Sequence, residues 1–127
     1  MYNYYNPNPK GKMVEDCSIR AISKALNVDW QMAYALMISK GYDMCDMPSS
    51  NSVLGAVLAD HGFSRTAVND TFGEDYTVSD FCSDNPHGTY VLYLGSHPVA
   101  VVDGNLFDSW NSSNEVPQYY WYKADSN

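Results

Sequence analysis

The sequence predicts an α+β fold, with N-terminal helices followed by a small antiparallel β-sheet. Three features carry that expectation. Over 17–84 apolar residues recur three and four apart, the spacing of a helix face. From Thr89 onward the period shortens, and β-branched and aromatic residues dominate. Asp103-Gly104, the favoured dipeptide of a two-residue type I′ turn, stands between two short apolar runs. Helices in one block and strands in another give an α+β order rather than alternating βαβ units.

Residues 1–14 read as irregular, because Asn6-Pro7-Asn8-Pro9 continues neither a helix nor a central strand. Lys10-Gly11-Lys12 follows, and this arm is expected to lie across the surface. The first helix begins at Cys17, with Asp16 as N-cap and Glu15 beside it near the positive helix end. Ile19, Ile22, Ala25 and Leu26 form its apolar face, and Asn27 stops it. A second helix starts after the N-cap Asp29. Its stripe is Trp30, Ala33, Tyr34, Met37 and Ile38, and Gly41 is its C-cap. A loop over 42–50 holds Cys45.

The third helix, capped near Ser50 or Asn51, presents Val53, Leu54, Val57, Leu58 and His61 before Gly62 ends it. A short strand over 63–68 and a loop over 69–76 follow. Thr77 caps a short fourth helix with Val78, Phe81 and Cys82, ending at Asn85-Pro86. The remaining strands fall over 89–94, in a hairpin over 97–110, and over 118–123, with a polar loop over 111–116. The eleven tyrosines read as half-buried strand residues.

A length of 127 residues predicts one domain, 1–127, long enough to bury a core without staples. With 45% hydrophobic residues the chain is no disordered tail. A net charge of −8 argues against nucleic acid and against an anionic membrane surface as partners. No apolar run reaches the length of a membrane span, and Met1-Tyr2-Asn3-Tyr4-Tyr5-Asn6 lacks the regions of a signal peptide. Three cysteines, an odd number in no CxxC pair, fit a reducing cytoplasm. Cysteines and histidines stand at no metal-ligand spacing, and no Gly-rich phosphate loop is present, so neither metal nor cofactor is expected. No serine lies in a nucleophile elbow.

The hairpin gathers the chemistry. With Asp103-Gly104 as its loop, Val102 faces Asn105 and Val99 faces Asp108, so His97 and Asp108 are diagonal neighbours on one face. Sliding the loop to Gly104-Asn105 keeps them together; a three-residue loop without a bulge separates them. An imidazole flanked by a carboxylate is the base and orienter of a nucleophilic triad, with Asn105 and Asn111 as rival orienters. Cys17 is the candidate nucleophile. In the first helical turn, unpaired backbone N–H groups lower a thiol pKa, while Glu15 and Asp16 oppose that by charge. An ion pair with His97 is needed to outweigh them. Cys45 and Cys82 read as structural, His61 as closing a helix face and His87 as a turn residue.

Asp16-Cys17-Ser18-Ile19-Arg20-Ala21 resembles the Cys-bearing helix start of the papain-like cysteine peptidases, and His97-Pro98-Val99-Ala100-Val101 resembles their His-x-Val-Ala strand. Asp108-Ser109-Trp110 is similar to the Asn-Ser-Trp motif that follows it, with the Asp used by the bacteriocin-processing branch. The chain also looks like small bacterial and phage proteins of this C-terminal pattern. The resemblance implies a papain-like fold and peptide or isopeptide hydrolysis on a peptide or protein substrate. By position it makes Cys17 the nucleophile, His97 the general base and acid, Asp108 the orienter, and Trp110 the shield of the His–Asp hydrogen bond. The family's oxyanion Gln falls at Gly11, which leaves Asn8, and after it Asn6, as the nearest amides. The same triad also serves acyl transfer to an amine, as in transglutaminase-like branches, and a degenerate copy of the fold serves as a binding module.

Overall fold

The computed structural model describes residues 1–68 and 75–123. In chain order its elements are β1 (Tyr2–Tyr4), α1 (Cys17–Leu26), α2 (Trp30–Met44), α3 (Asn51–Asp60), β2 (Ser64–Ala67), α4 (Val78–Asp84), β3 (Thr89–Tyr93), β4 (Pro98–Val102), β5 (Asn105–Asp108) and β6 (Tyr119–Lys123). The class is α+β, with most of the helix before most of the sheet. The strands form one six-stranded sheet in the order β1-β5-β4-β3-β6-β2.

Both faces of the sheet are covered. Ile22 of α1, Met37 of α2 and Leu54 and Leu58 of α3 pack with Val91 and Trp121 on one face. Val78 and Phe81 of α4 pack with Tyr90, Leu92, Val99, Val101 and Leu106 on the other. Side chains alternate along a strand, so β3 sends Val91 to the first layer and Tyr90 and Leu92 to the second. This explains why β3 reads as an unbroken apolar run. Each fully buried Leu, Ile or Val contributes about 1.5–3 kcal/mol. The tyrosines tile the sheet: Tyr90 stacks on Tyr122 at 4.6 Å, and Tyr93 on Tyr119 at 5.0 Å.

The sequence-based expectations need correction in four places. The sheet is mixed rather than antiparallel, because the N-terminal arm contributes β1, which runs parallel to β5 with Tyr2 opposite Leu106 and Tyr4 opposite Asp108. The prolines that signalled irregular chain lie beyond this strand, and Tyr-Asn-Tyr suits an edge. Gly41 does not end α2, which runs on to Met44 with Cys45 as its left-handed cap at φ 54°. A glycine is needed at 41 because the returning backbone of Asp46 and Pro48 passes within 3.0–3.1 Å of where a Cβ would stand. On α2, Ala33 and Met37 enter the core, whereas Tyr34 and Ile38 remain 44% and 41% exposed. Finally, Asp16 stands at the N-cap position of α1 without capping it.

The other boundaries agree to within a residue or two. Asn27 ends α1 in the left-handed region, Asp29 and Ser50 cap α2 and α3, and Thr77 closes a capping box with Asp80. Of the loop expected over 69–76, residues 69–74 lie outside the described residues. Among the described residues no helix is long and apolar enough to cross a membrane.

Candidate active site

The β4–β5 hairpin turns on Asp103 and Gly104, at φ 50° and 76°, the two positive values of a type I′ turn. Val102 pairs with Asn105, Val101 with Leu106 and Ala100 with Phe107, the register expected from that turn. The Asp103 carboxylate and backbone also tie the turn to Gly88. This register brings His97, just before β4, beside Asp108 at the end of β5. His97 Nε2 lies 2.8 Å from Asp108 Oδ2. The Trp110 ring lies against the imidazole with centroids 5.2 Å apart and planes tilted 34°.

Asp108 is 1% exposed, and its carboxylate accepts four hydrogen bonds. Oδ2 takes His97 Nε2 and, at 2.7 Å, the Ser112 hydroxyl. Oδ1 takes the Ser109 N–H at 2.7 Å and Arg20 Nη2 at 3.2 Å. That fills the acceptor capacity of a carboxylate. Burial pushes the Asp108 pKa up, but hydrogen bonds from His97, Ser112 and Ser109, with the His97 charge, outweigh it and hold the carboxyl below its ordinary value. An ionised carboxylate only accepts, so Nε2 carries the proton of this bond. In the neutral imidazole Nδ1 is then the acceptor, and the Ser96 hydroxyl lies 2.9 Å from it.

Arg20 extends the network to α1. Its guanidinium pairs with Asp108 and with Asp16 one turn earlier, and all three groups are buried. Asp16 also accepts the indole N–H of Trp30 at 2.8 Å. This is why it does not cap α1: its oxygens face α2 and Arg20 instead. The arm joins from the other side, with the Tyr5 N–H donating to the Asp108 carbonyl at 2.8 Å and the Tyr5 hydroxyl 2.9 Å from Ser23 Oγ.

Cys17 opens α1 one turn before Arg20. It lines an apolar cleft of about 270 Å³ with Tyr34, Met37, Ile38 and Pro48, bordered by Glu15. Among the described residues no hydrogen bond joins Cys17 to His97. Burial raises the Cys17 thiol pKa, and the nearby Arg20 charge and hydrogen bonds at Ser18 lower it by less. The helix start therefore does not by itself produce a ready thiolate.

Asn8 sits in a turn of the arm, where its side-chain oxygen accepts the Lys10 N–H at 2.9 Å. Asn6 donates to the Lys12 carbonyl. No hydrogen bond among the described residues brings either amide to Cys17. Cys82, on the inner face of α4, is buried, and all three cysteines are free. His61 bonds the Val57 carbonyl at its helix end. Among the described residues no cluster of three or more His, Cys, Asp or Glu is arranged to hold a metal.

Arg20, Ser112 and Ser96 are the site residues that sequence reasoning missed. Asp16 and Arg20 stand four apart on a helix, a recognisable ion-pair spacing. Ser112 and Ser96 carry no such local signal. No family model, curated protein or solved structure matches this chain.

Proposed function

We propose that the protein is a thiol-dependent hydrolase of peptide or isopeptide bonds, with a papain-like Cys17–His97–Asp108 arrangement. The observation that carries this reading is the His97–Asp108 bond. A carboxylate holding Nε2–H fixes the imidazole in the tautomer whose Nδ1 carries no proton and can act as a base. Trp110 on the ring limits the access of water to that bond. A thiol in the first turn of a helix, on an open cleft, is the nucleophile this base would serve.

In turnover Nδ1 exchanges the Ser96 hydroxyl for the Cys17 thiol and takes its proton. The thiolate attacks the substrate carbonyl, and the backbone N–H of Cys17 donates to the developing oxyanion. Nδ1–H then protonates the leaving amine as the C–N bond breaks. Water, deprotonated by Nδ1, hydrolyses the thioester and regenerates the thiol. The same thioester passed to an amine gives the transferase reading. Three free cysteines suit a reducing compartment such as the cytoplasm.

A second reading, a papain-like binding module without catalysis, is favoured by Ser96 holding Nδ1 and by the raised Cys17 pKa. Alkylation by iodoacetamide separates the two, read at each cysteine by mass spectrometry from about pH 4 to 9, since a His-paired thiolate forms well below the free-thiol pKa of about 8.5. The hydrolase reading expects Cys17 to react fastest below neutrality and His97→Ala to abolish that advantage. Cys17 reacting no faster than exposed Cys45 would leave the binding module.

A further inference from the structure

A second cavity, of about 390 Å³, lies between α3 and the outer strands β2 and β6, away from Cys17 and His97. Its polar groups are the Arg65 guanidinium, the Trp121 indole N–H, the Asn51 amide and the hydroxyls of Ser52 and Tyr119, with no carboxylate among them. The Arg65 guanidinium carbon lies 4.1 Å from the centroid of the Tyr119 ring, and among the described residues Arg65 has no carboxylate partner. That is notable in a chain with 15 acidic residues. Trp121 is 4% exposed. Its indole N–H has no partner among the described residues, and since none of their buried side-chain nitrogens or oxygens is unpartnered, that N–H is open to solvent. That N–H stands beside Gly55, where a Cβ would come within 3.3 Å of Nε1. Ser52 is exposed, the Asn51 amide donates to the Tyr119 hydroxyl at 3.0 Å, and both residues open α3, the positive end of its dipole.

We propose that this cavity binds the carboxylate of a ligand with an apolar stem. A planar guanidinium held in place by a ring presents its fork to a planar, singly charged group. The net charge of −8 disfavours a phosphate dianion in the same place. The solvent-open Trp121 indole N–H adds a second donor at the cavity wall. Tyr119 and Trp121 supply the apolar walls. Two sources offer this chemistry: a free small carboxylate, or the C-terminus of an extended peptide laid along β2, which is an edge of the sheet with all four residues exposed.

The probes are N-acetylphenylalanine, its amide, a hexapeptide ending in phenylalanine, and inorganic phosphate. Each is titrated into ¹⁵N-labelled full chain while the assigned Trp121 indole N–H resonance is followed. N-acetylphenylalanine is expected to move that resonance saturably and its amide not to. Arg65→Gln, on an exposed strand residue, is expected to weaken binding roughly tenfold or more, because hydrogen bonds to charged groups are the stronger ones. Tighter binding of the hexapeptide assigns the site to a chain terminus, and equal binding to a small carboxylate; both uphold the proposal. An unmoved Trp121 N–H, amide or phosphate as effective as the carboxylate, or an Arg65→Gln affinity equal to that of the native chain would each overturn it. None of these outcomes depends on Cys17 reactivity.

Discussion

Arg20 pairs with Asp108 and its charge acts on Cys17, one turn before it on α1, yet the fold treats the two groups oppositely. Asp108 sits at a strand end with every acceptor position filled. Cys17 sits at a helix start, half-buried on an open cleft, and is not joined to the imidazole. One group is fixed by the same bonds that hold β5, α1 and the 108–112 turn together. The other is left adjustable. Under the proposed hydrolase reading the contrast separates two functions: orienting the base would be a structural property, whereas engaging the thiol would require a change in what His97 Nδ1 contacts.

The strongest way to break this contrast is to remove the carboxylate. Asp108→Ala strips the buried Arg20 charge of one partner and leaves Ser112 and His97 without an acceptor. Loss of one member of a buried ion pair costs about 3–5 kcal/mol. Cys17→Ala removes one half-buried sulfur from an open cleft and should cost less than about 1 kcal/mol, as for a change away from buried networks. Denaturant unfolding of the two variants should therefore differ by several-fold in ΔΔG. Equal losses would mean that the two ends are structurally equivalent.

Why one end was legible in the sequence and the other was not follows from the same contrast. The His97–Asp108 relation is fixed by a two-residue turn and the period of a strand, both local rules. Asp103-Gly104 therefore fixed their common face before any tertiary contact was considered. The fold class was legible for the same reason, from a change of period near Thr89. The filling of Asp108 was not, because Arg20 arrives across 88 positions of chain and Ser112 by a turn without a signature. Asp16 was misread because an acid before a helix has two competing partners, the free amides and a side chain one turn on. The buried Arg20 and the half-buried Trp30 beside it decided for the second. Strand β1 was missed because three residues pair only through a distant edge.

Acid sharpens the comparison with a smaller effect. The Asp108 carboxyl titrates lower in the folded chain than in the unfolded one, so the unfolded chain binds the proton first as pH falls. Its stabilisation is complete above the unfolded carboxylate pKa of about 3.9 and is lost as pH falls through the folded value. Unfolding free energy should decline below about pH 4 in the native chain and decline less in Asp108→Asn, which has no charge to lose. The Cys17 end has the opposite sign. Its thiol pKa is raised in the fold, so its contribution is complete below the unfolded thiol pKa and falls as pH rises past it. Cys17→Ala should leave the acid limb unchanged. An Asp108→Asn profile that parallels the native one would place the acid sensitivity elsewhere.

The smallest expected change in stability tests the adjustable end most directly. Ser96 is exposed, and its hydroxyl lies 2.9 Å from His97 Nδ1, the atom that the proposed reading assigns to the thiol. Ser96→Ala removes that competitor without touching Asp108, so stability should shift by no more than about 0.5 kcal/mol, the usual range for surface changes. If Nδ1 is the base and only the hydroxyl stands between it and Cys17, the variant should alkylate faster at Cys17 at neutral pH, and adding His97→Ala should remove the gain. If Ser96 instead holds the ring in its working orientation, alkylation slows, because a freed imidazole loses the alignment that Asp108 and Trp110 alone then have to maintain. The direction of that change tells whether the hydroxyl is a placeholder for the thiol or part of the frame around the base.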